Sequence, residues 1–224
     1  MSEIWQLSAT DLAQRIASRQ ISSAEAVDAN LARINAVNPA LNAVVQVLAD
    51  EARASAVLAD KKLAAGELAG PLHGVPFTVK ENIDMAGLPT TWGVPALAKA
   101  VVPADAPVVE RMRAAGGIPI GRTNLPDMAL RVHTVSSLHG LTRNPWHPRR
   151  TAGGSSGGEA AALASGMSPI GLGKVAAQSG QRLRHRVDSS ICRPHTRCGL
   201  CAGRRPIAGG PTNAGTRSDG PSRR

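Results

Sequence analysis

Along the first 173 residues the apolar positions follow two periods in turn. Ser8 precedes Ala9-Thr10-Asp11-Leu12-Ala13, a helix N-cap with an acid three residues on. Ser22 and Glu25 repeat that spacing as a capping box, and Ala26, Leu31 and Ile34 supply part of an apolar helical face, ending near Asn38-Pro39. Val44, Val45 and Val47 lie within a strand-like run, 42–48, and residues 50–63 form an Ala-rich helical stretch that Gly66 stops. A turn from Gly70 then feeds a short apolar strand, Val75-Pro76-Phe77-Thr78-Val79, which ends on Lys80. Further on, the pattern predicts a helix at 107–115, a strand at 117–121, a helical turn at 124–131 and a helix at 160–165. Strands and helices alternating at this spacing give an α/β chain with a substantially parallel sheet. There is no internal repeat.

Composition divides the molecule. The 224 residues carry a formal net charge of +10, which would suit a nucleic-acid or anionic partner. Residues 1–173, however, hold 15 Lys+Arg against 14 Asp+Glu, whereas residues 174–224 hold 11 against 2. The charge is therefore a property of the last 51 residues, which also contain all three cysteines. Three cysteines exclude a disulfide scaffold. The four aromatic residues, Trp5, Phe77, Trp92 and Trp146, are too few for a base-stacking platform, so nucleic acid is not the expected partner of the first 173 residues. No apolar run reaches bilayer-spanning length and Met1-Ser2-Glu3 lacks the basic start of a signal peptide, so a soluble cytoplasmic protein is the expectation.

Two local features carry candidate chemistry. The first is Thr151-Ala152-Gly153-Gly154-Ser155-Ser156-Gly157-Gly158-Glu159, followed by a helical run. Paired glycines around two serines allow positive φ and close approach to a ligand, and the helix start behind them offers unpaired N–H groups. The same composition also describes a plain flexible loop, and no Gly-Lys-Ser/Thr follows to make it a phosphate loop. The second feature is Lys80. A lysine at the end of an apolar strand either snorkels to solvent or is desolvated, and in the latter case it can act as a base.

Together these features resemble the amidase signature family. Gly-Val-Pro-Phe-Thr-Val-Lys80-Glu-Asn-Ile resembles that family's lysine segment. Thr142-Arg-Asn-Pro-Trp146 and Gly153-Gly-Ser155-Ser-Gly-Gly158 resemble its serine- and glycine-rich signature. Pro107-Val-Val-Glu-Arg-Met-Arg-Ala-Ala-Gly-Gly, Gly121-Arg-Thr-Asn124 and the stretch ending Gly166-Met-Ser-Pro-Ile-Gly-Leu-Gly173 match in the same order, so the likeness is collinear over about residues 8–173. The resemblance implies an α/β fold with a mixed sheet flanked by helices. It also implies hydrolysis of a small carboxamide to acid and ammonia through a Ser–Ser–Lys triad, with no cofactor and no metal. In that triad Lys80 corresponds to the base, Ser155 to the bridging serine on a cis peptide bond, and Ser179 to the nucleophile. Gly153, Gly154, Ser156 and Gly157 belong to the loop, and Ala176, Ala177 and Gln178 fall where the family forms its oxyanion hole. A relation to the tRNA-dependent amidotransferases, which feed ammonia to a mischarged tRNA, is a second branch, which Asp127-Met-Ala-Leu-Arg-Val-His133 fits less well.

The resemblance stops after Gly173. Where the family has an Asp and a Gly-Gly pair before its nucleophile, this chain has Val175 and Ala177-Gln178. Ser179 stands at the expected count, but Ala and Gln are disfavoured wherever φ is positive. Arg, Gly, Pro and Ala make up 26 of the last 51 residues, which suggests a reading-frame shift just after Gly173 and a disordered tail. Two other readings of the tail remain. Cys192, His195, Cys198 and Cys201, with His185 nearby, have ligand-like spacing, and ten arginines could form a basic arm. A family domain cut at Gly173 would expose strand edges, predicting aggregation, a homo-oligomer or dependence on a partner, and an impaired or non-catalytic chain.

Overall fold

The computed structural model describes residues 3–68 and 70–173. The first helix, α1 (Ala9–Ala17), starts where its cap predicts: Ser8 Oγ accepts from the Asp11 amide at 3.1 Å and donates to Asp11 Oδ2 at 2.6 Å. The second, α2 (Ser23–Leu41), opens with the full capping box. Ser22 Oγ accepts from the Glu25 amide at 3.0 Å, and Glu25 Oε2 accepts from the Ser22 amide at 2.7 Å. The bonds that Glu25 Oε2 accepts from the Ser22 amide and from the Ser22 hydroxyl, the latter at 2.9 Å, hold the Glu25 carboxyl below its ordinary range.

This helix runs past its expected end, with Pro39 inside the last turn. Two asparagines close it. Asn42 takes a left-handed conformation (φ 53°) and its amide donates to the Asn38 carbonyl. Asn38 Oδ1 accepts from the amides of Ala43 and Val44, both at 2.9 Å, pinning the helix end to the strand that follows.

That strand is β1 (Val44–Val47), followed by α3 (Ala49–Ala64), β2 (Pro76–Lys80), α4 (Pro107–Ala114) and β3 (Ile118–Thr123). A small hairpin, β4 (Val135–Ser136) with β5 (Gly140–Leu141), precedes α5 (Gly157–Ala164) and β6 (Gly171–Leu172). The main sheet has the order β1-β3-β2-β6. β2 pairs in parallel with both β3 and β6, while β1 runs antiparallel to β3, so the sheet is mixed. The expected helical turn at 124–131 shrinks to three 3-10 residues, Asp127–Ala129, in which Met128 and Ala129 have positive φ.

Helices cover both sheet faces. On one, Val27, Leu31 and Ile34 of α2 pack with Ala52 and Ala56 of α3, Ile118 and Ile120 of β3, and Ala161 and Ala162 of α5. On the other, Phe77 and Val79 of β2 pack with Val109 of α4, Met85 and Leu172. A third cluster joins Leu12 and Ile16 of α1 to Ala26, Leu63 and Val75. Each large side chain buried in this way contributes roughly 1.5–3 kcal/mol.

The period of two along β2 decides where the polar residues go. Phe77 and Val79 face α4, so Thr78 and Lys80 point to the opposite face. On β3 a bulge changes the parity. Phe77 pairs with Pro119 but Thr78 pairs with Gly121, leaving Ile120 as the extra residue. Lys80 therefore pairs with Thr123 and Val79 with Arg122. Without that bulge, regular alternation from Ile118 and Ile120 would bring Arg122 to the face of Lys80.

Candidate active site

Lys80 is the last residue of β2, and its side chain is fully buried. Of the two outcomes open for a lysine at a strand end, the structure takes the desolvated one. Its Nζ donates to Ser155 Oγ at 2.8 Å and to Ser156 Oγ at 3.0 Å. Burial costs an ammonium far more than an amine, so desolvation at this position works against the charged form.

The serines reach Lys80 because of how their loop is held. The Gly154–Ser155 peptide bond is cis, and Gly153 before it has φ +89°, a conformation that favours glycine. Thr134 clamps the loop: its Oγ1 donates to the Gly153 carbonyl at 2.8 Å and accepts from the Gly157 amide at 3.1 Å. The Gly157 N–H is thus directed into the fold. Likewise the Gly153 amide donates to Thr151 Oγ1 at 3.0 Å. At Gly158, where α5 crosses β3's end, a Cβ would lie 2.4–2.5 Å from the Asn124 backbone, so only glycine fits this approach. Helix α5 accordingly begins at Gly157, three residues earlier than its apolar pattern suggests.

Beneath the serines lies a residue that motif reading did not assign. Glu159, in the first turn of α5, is buried, and its carboxylate accepts from Thr78 Oγ1 at 2.5 Å and from Thr123 Oγ1 at 2.8 Å. Gly171 of β6 makes room for it, since a Cβ there would sit 1.7 Å from Glu159 Oε1. Burial pushes the Glu159 carboxyl up to about 7, against the two threonine bonds and the Lys80 charge, which act to lower it. The acid directly after Gly157-Gly158 was legible in the sequence. Its threonine partners, 81 and 36 residues away, were not.

Ser155, Ser156, Gly153, Gly154 and Gly157 are thus gathered at Lys80. Ser179 and its neighbours Ala176, Ala177 and Gln178 lie outside the described residues, as does the Cys192–His195–Cys198–Cys201 spacing. Among the described residues no cluster of His, Cys, Asp or Glu is arranged to hold a metal, and no helix is long and apolar enough to cross a membrane. Two apolar clefts, of about 540 and 480 Å³, are lined by other residues: one by α1 and 169–171, the other by Trp5, Arg33 and Trp146.

The family model described as amidase matches residues 25–177. The chain belongs to the amidase signature family. It is 51% identical over 170 residues to an indoleacetamide hydrolase of Bradyrhizobium diazoefficiens, covering 76% of this chain and 32% of that protein. It is 41% identical over 186 residues to an acylamidase of Rhodococcus erythropolis, covering 83% and 38%. Among solved structures, a bacterial aryl acylamidase of the amidase signature family superposes with a TM-score of 0.73 at 35% identity, covering 76% of this chain and 36% of that one. This amidase-family chain therefore spans about a third of the length of the relatives it matches.

Proposed function

We propose that this chain carries the base and relay of an amide-hydrolysing site, with Lys80 as general base, Ser155 as relay and Ser179 at the position of the nucleophile, and that the departures around Ser179 impair its activity. The observation that carries the reading is the 2.8 Å contact between Lys80 Nζ and Ser155 Oγ at the end of a buried strand. A serine hydroxyl attacks an amide carbonyl only if its proton is removed as the bond forms. In the proposed sequence Ser155 Oγ takes the proton of the attacking serine and passes its own to the Lys80 amine. The tetrahedral intermediate collapses, Lys80 returns the proton to the leaving nitrogen, and ammonia departs. Water then attacks the acyl-enzyme by the same relay, releasing the carboxylate and free serine. This is a Ser–Lys form of triad chemistry and needs no histidine.

The substrate we infer is a small primary carboxamide with an apolar acyl group. Gly154 packs against the backbone of residues 131–133, and the flanking Leu130 and Val132 are 82% and 80% exposed beside the serine loop. Such side chains suit an apolar group held next to the scissile amide. The name of the Bradyrhizobium relative points the same way, because indoleacetamide is an aromatic primary amide.

The test is ammonia release from indole-3-acetamide by the full chain, against Ser155→Ala and Lys80→Ala. Turnover in the wild type that falls about 10²-fold or more in both variants supports the reading. Turnover unaffected by either variant overturns it. A wild type without turnover on a panel of primary amides favours a non-catalytic fragment or binding module.

A further inference from the structure

One of the two clefts is built around a guanidinium. It has a volume of about 480 Å³ and lies between the C-terminal half of α2, the end of α5 and the turn at Pro145-Trp146, with Trp5, Arg33, Ala40, Leu41, Pro145 and Trp146 among its walls. A mostly apolar concavity of this size with one convergent polar group is the usual form of a small-molecule site. The other cleft has no arginine or lysine among its described lining residues.

Arg33 is held on two sides. Its Nε donates to the Ser165 carbonyl, just past the end of α5, at 2.8 Å, and its guanidinium carbon lies 4.0 Å from the centre of the Trp5 ring. Trp5 is fixed in turn: its indole N–H donates to Glu3, and its ring covers Gly166, where a Cβ would fall 2.4 Å from the ring. Among the described residues neither Nη1 nor Nη2 of Arg33 forms a hydrogen bond, and no carboxylate, Glu3 included, forms an ion pair with it. A guanidinium with its Nε edge taken presents its end, Nη1 beside Nη2, which matches the two oxygens of a carboxylate. On another wall Trp146 is 62% exposed, yet its backbone is anchored. Its amide donates to Asn144 Oδ1 at 2.8 Å, and Asn144 Nδ2 donates to the Thr151 carbonyl at 2.8 Å. An anchored, open indole beside Ala40, Leu41 and Pro145 offers its face to a flat ring.

We propose that this cleft binds a small aromatic carboxylate, with its ring against Trp146 and its two oxygens on Nη1 and Nη2 of Arg33. The cleft sits at the end of α5 remote from the serine loop, eight residues or about 12 Å along the helix, so its ligand does not touch Lys80 or Ser155. An amide of the same shape brings no charge to Arg33 and turns a donor toward it in place of one oxygen, so it binds more weakly. An aromatic acid is also the class of product that the proposed hydrolysis releases, so the cleft would respond to product and not to substrate. The binding itself does not depend on that hydrolysis.

Calorimetric titration of the full chain with phenylacetate and with phenylacetamide tests this, repeated in Lys80→Ala so that turnover of the amide does not intervene. Phenylacetate should bind about tenfold or more tightly than the amide in both chains. Arg33→Gln should abolish that preference, and Trp146→Ala should weaken the acid by about tenfold. If Arg33→Gln does not fold, Trp146→Ala, which removes an exposed ring, still decides together with the acid–amide comparison. Absence of phenylacetate binding, equal affinity for acid and amide, or a preference that survives in folded Arg33→Gln overturns the inference. So does acid binding indifferent to Trp146→Ala, or lost in Lys80→Ala, which would put the ligand at the serines. A chain that binds phenylacetate in this way yet releases ammonia from no amide would refute the proposed function and leave the assignment of the cleft intact.

Discussion

Two buried cations stand on adjacent strands of this sheet, facing opposite ways, and their surroundings give them opposite characters. Arg122 on β3 is fully buried and donates to the carbonyls of Pro89, Glu81 and Ile83, with the Glu81 carboxylate 3.9 Å away. Burial lowers its pKa and the charges of Glu81 and Asp84 act to raise it, but a guanidinium stays charged at any relevant pH. Lys80 on β2 is equally buried, but its bonds run to serine hydroxyls, which can both give and take protons. The first arrangement ties the loop segments at residues 81–83 and 89 to the sheet. The second is able to move a proton. Burial is the same in both, so what separates structure from chemistry here is the titratability of the cation and of its partners.

Substitution by methionine should separate the two. Lys80→Met should lower kcat/KM by about 10²–10⁴-fold while the chain keeps its fold, since an apolar side chain of similar length replaces a costly buried amine. Arg122→Met should act in reverse. It strands three carbonyls and the Glu81 carboxylate, and should cost about 3–5 kcal/mol in denaturant unfolding. If Lys80→Met unfolds the chain as readily as Arg122→Met, the contrast fails.

A further effect of comparable size concerns pH. The Glu159 carboxyl lies at about 7 in the fold against 4.5 as its ordinary value. Between those values the native state binds the extra proton. The stabilisation is therefore fully present below about 4.5 and is lost as pH rises toward 7, by up to about 3 kcal/mol. Denaturation curves of wild type and Glu159→Gln should converge or cross over that window. Parallel curves from pH 4 to pH 8 would show that Glu159 does not hold the proton. The smallest effect belongs to a region remote from both cations: Ser8→Ala removes the cap of α1 and should cost about 1 kcal/mol with activity unchanged.

Much of this architecture was legible in the sequence because it is written in short-range terms. Ser8 with Asp11, and Ser22 with Glu25, fix their helix starts within four residues, and the apolar run ending at Lys80 marks β2. The remainder depends on distant partners. The bulge at Ile120 has no local signal, yet it decides whether Thr123 or Arg122 faces the site. Helix α5 starts at Gly157 despite poor glycine propensity, because Gly158 must lie against Asn124. Pro39 suggested an early stop to α2, but the Asn38 and Asn42 side chains close the helix beyond it. For the site, motif order assembled Lys80 and the serine loop, whereas Glu159 emerges only when β2, β3 and β6 are brought together around it.

The claim that Lys80 activates a serine through Ser155 is tested most directly by covalent labelling. The full chain is treated with a fluorophosphonate at pH 8 and the adduct is mapped by peptide mass spectrometry, alongside Lys80→Ala and Ser155→Ala. The account predicts an adduct on Ser179 in the wild type and its loss in both variants. An unlabelled wild type, or labelling of Ser179 that persists without Lys80, would contradict it.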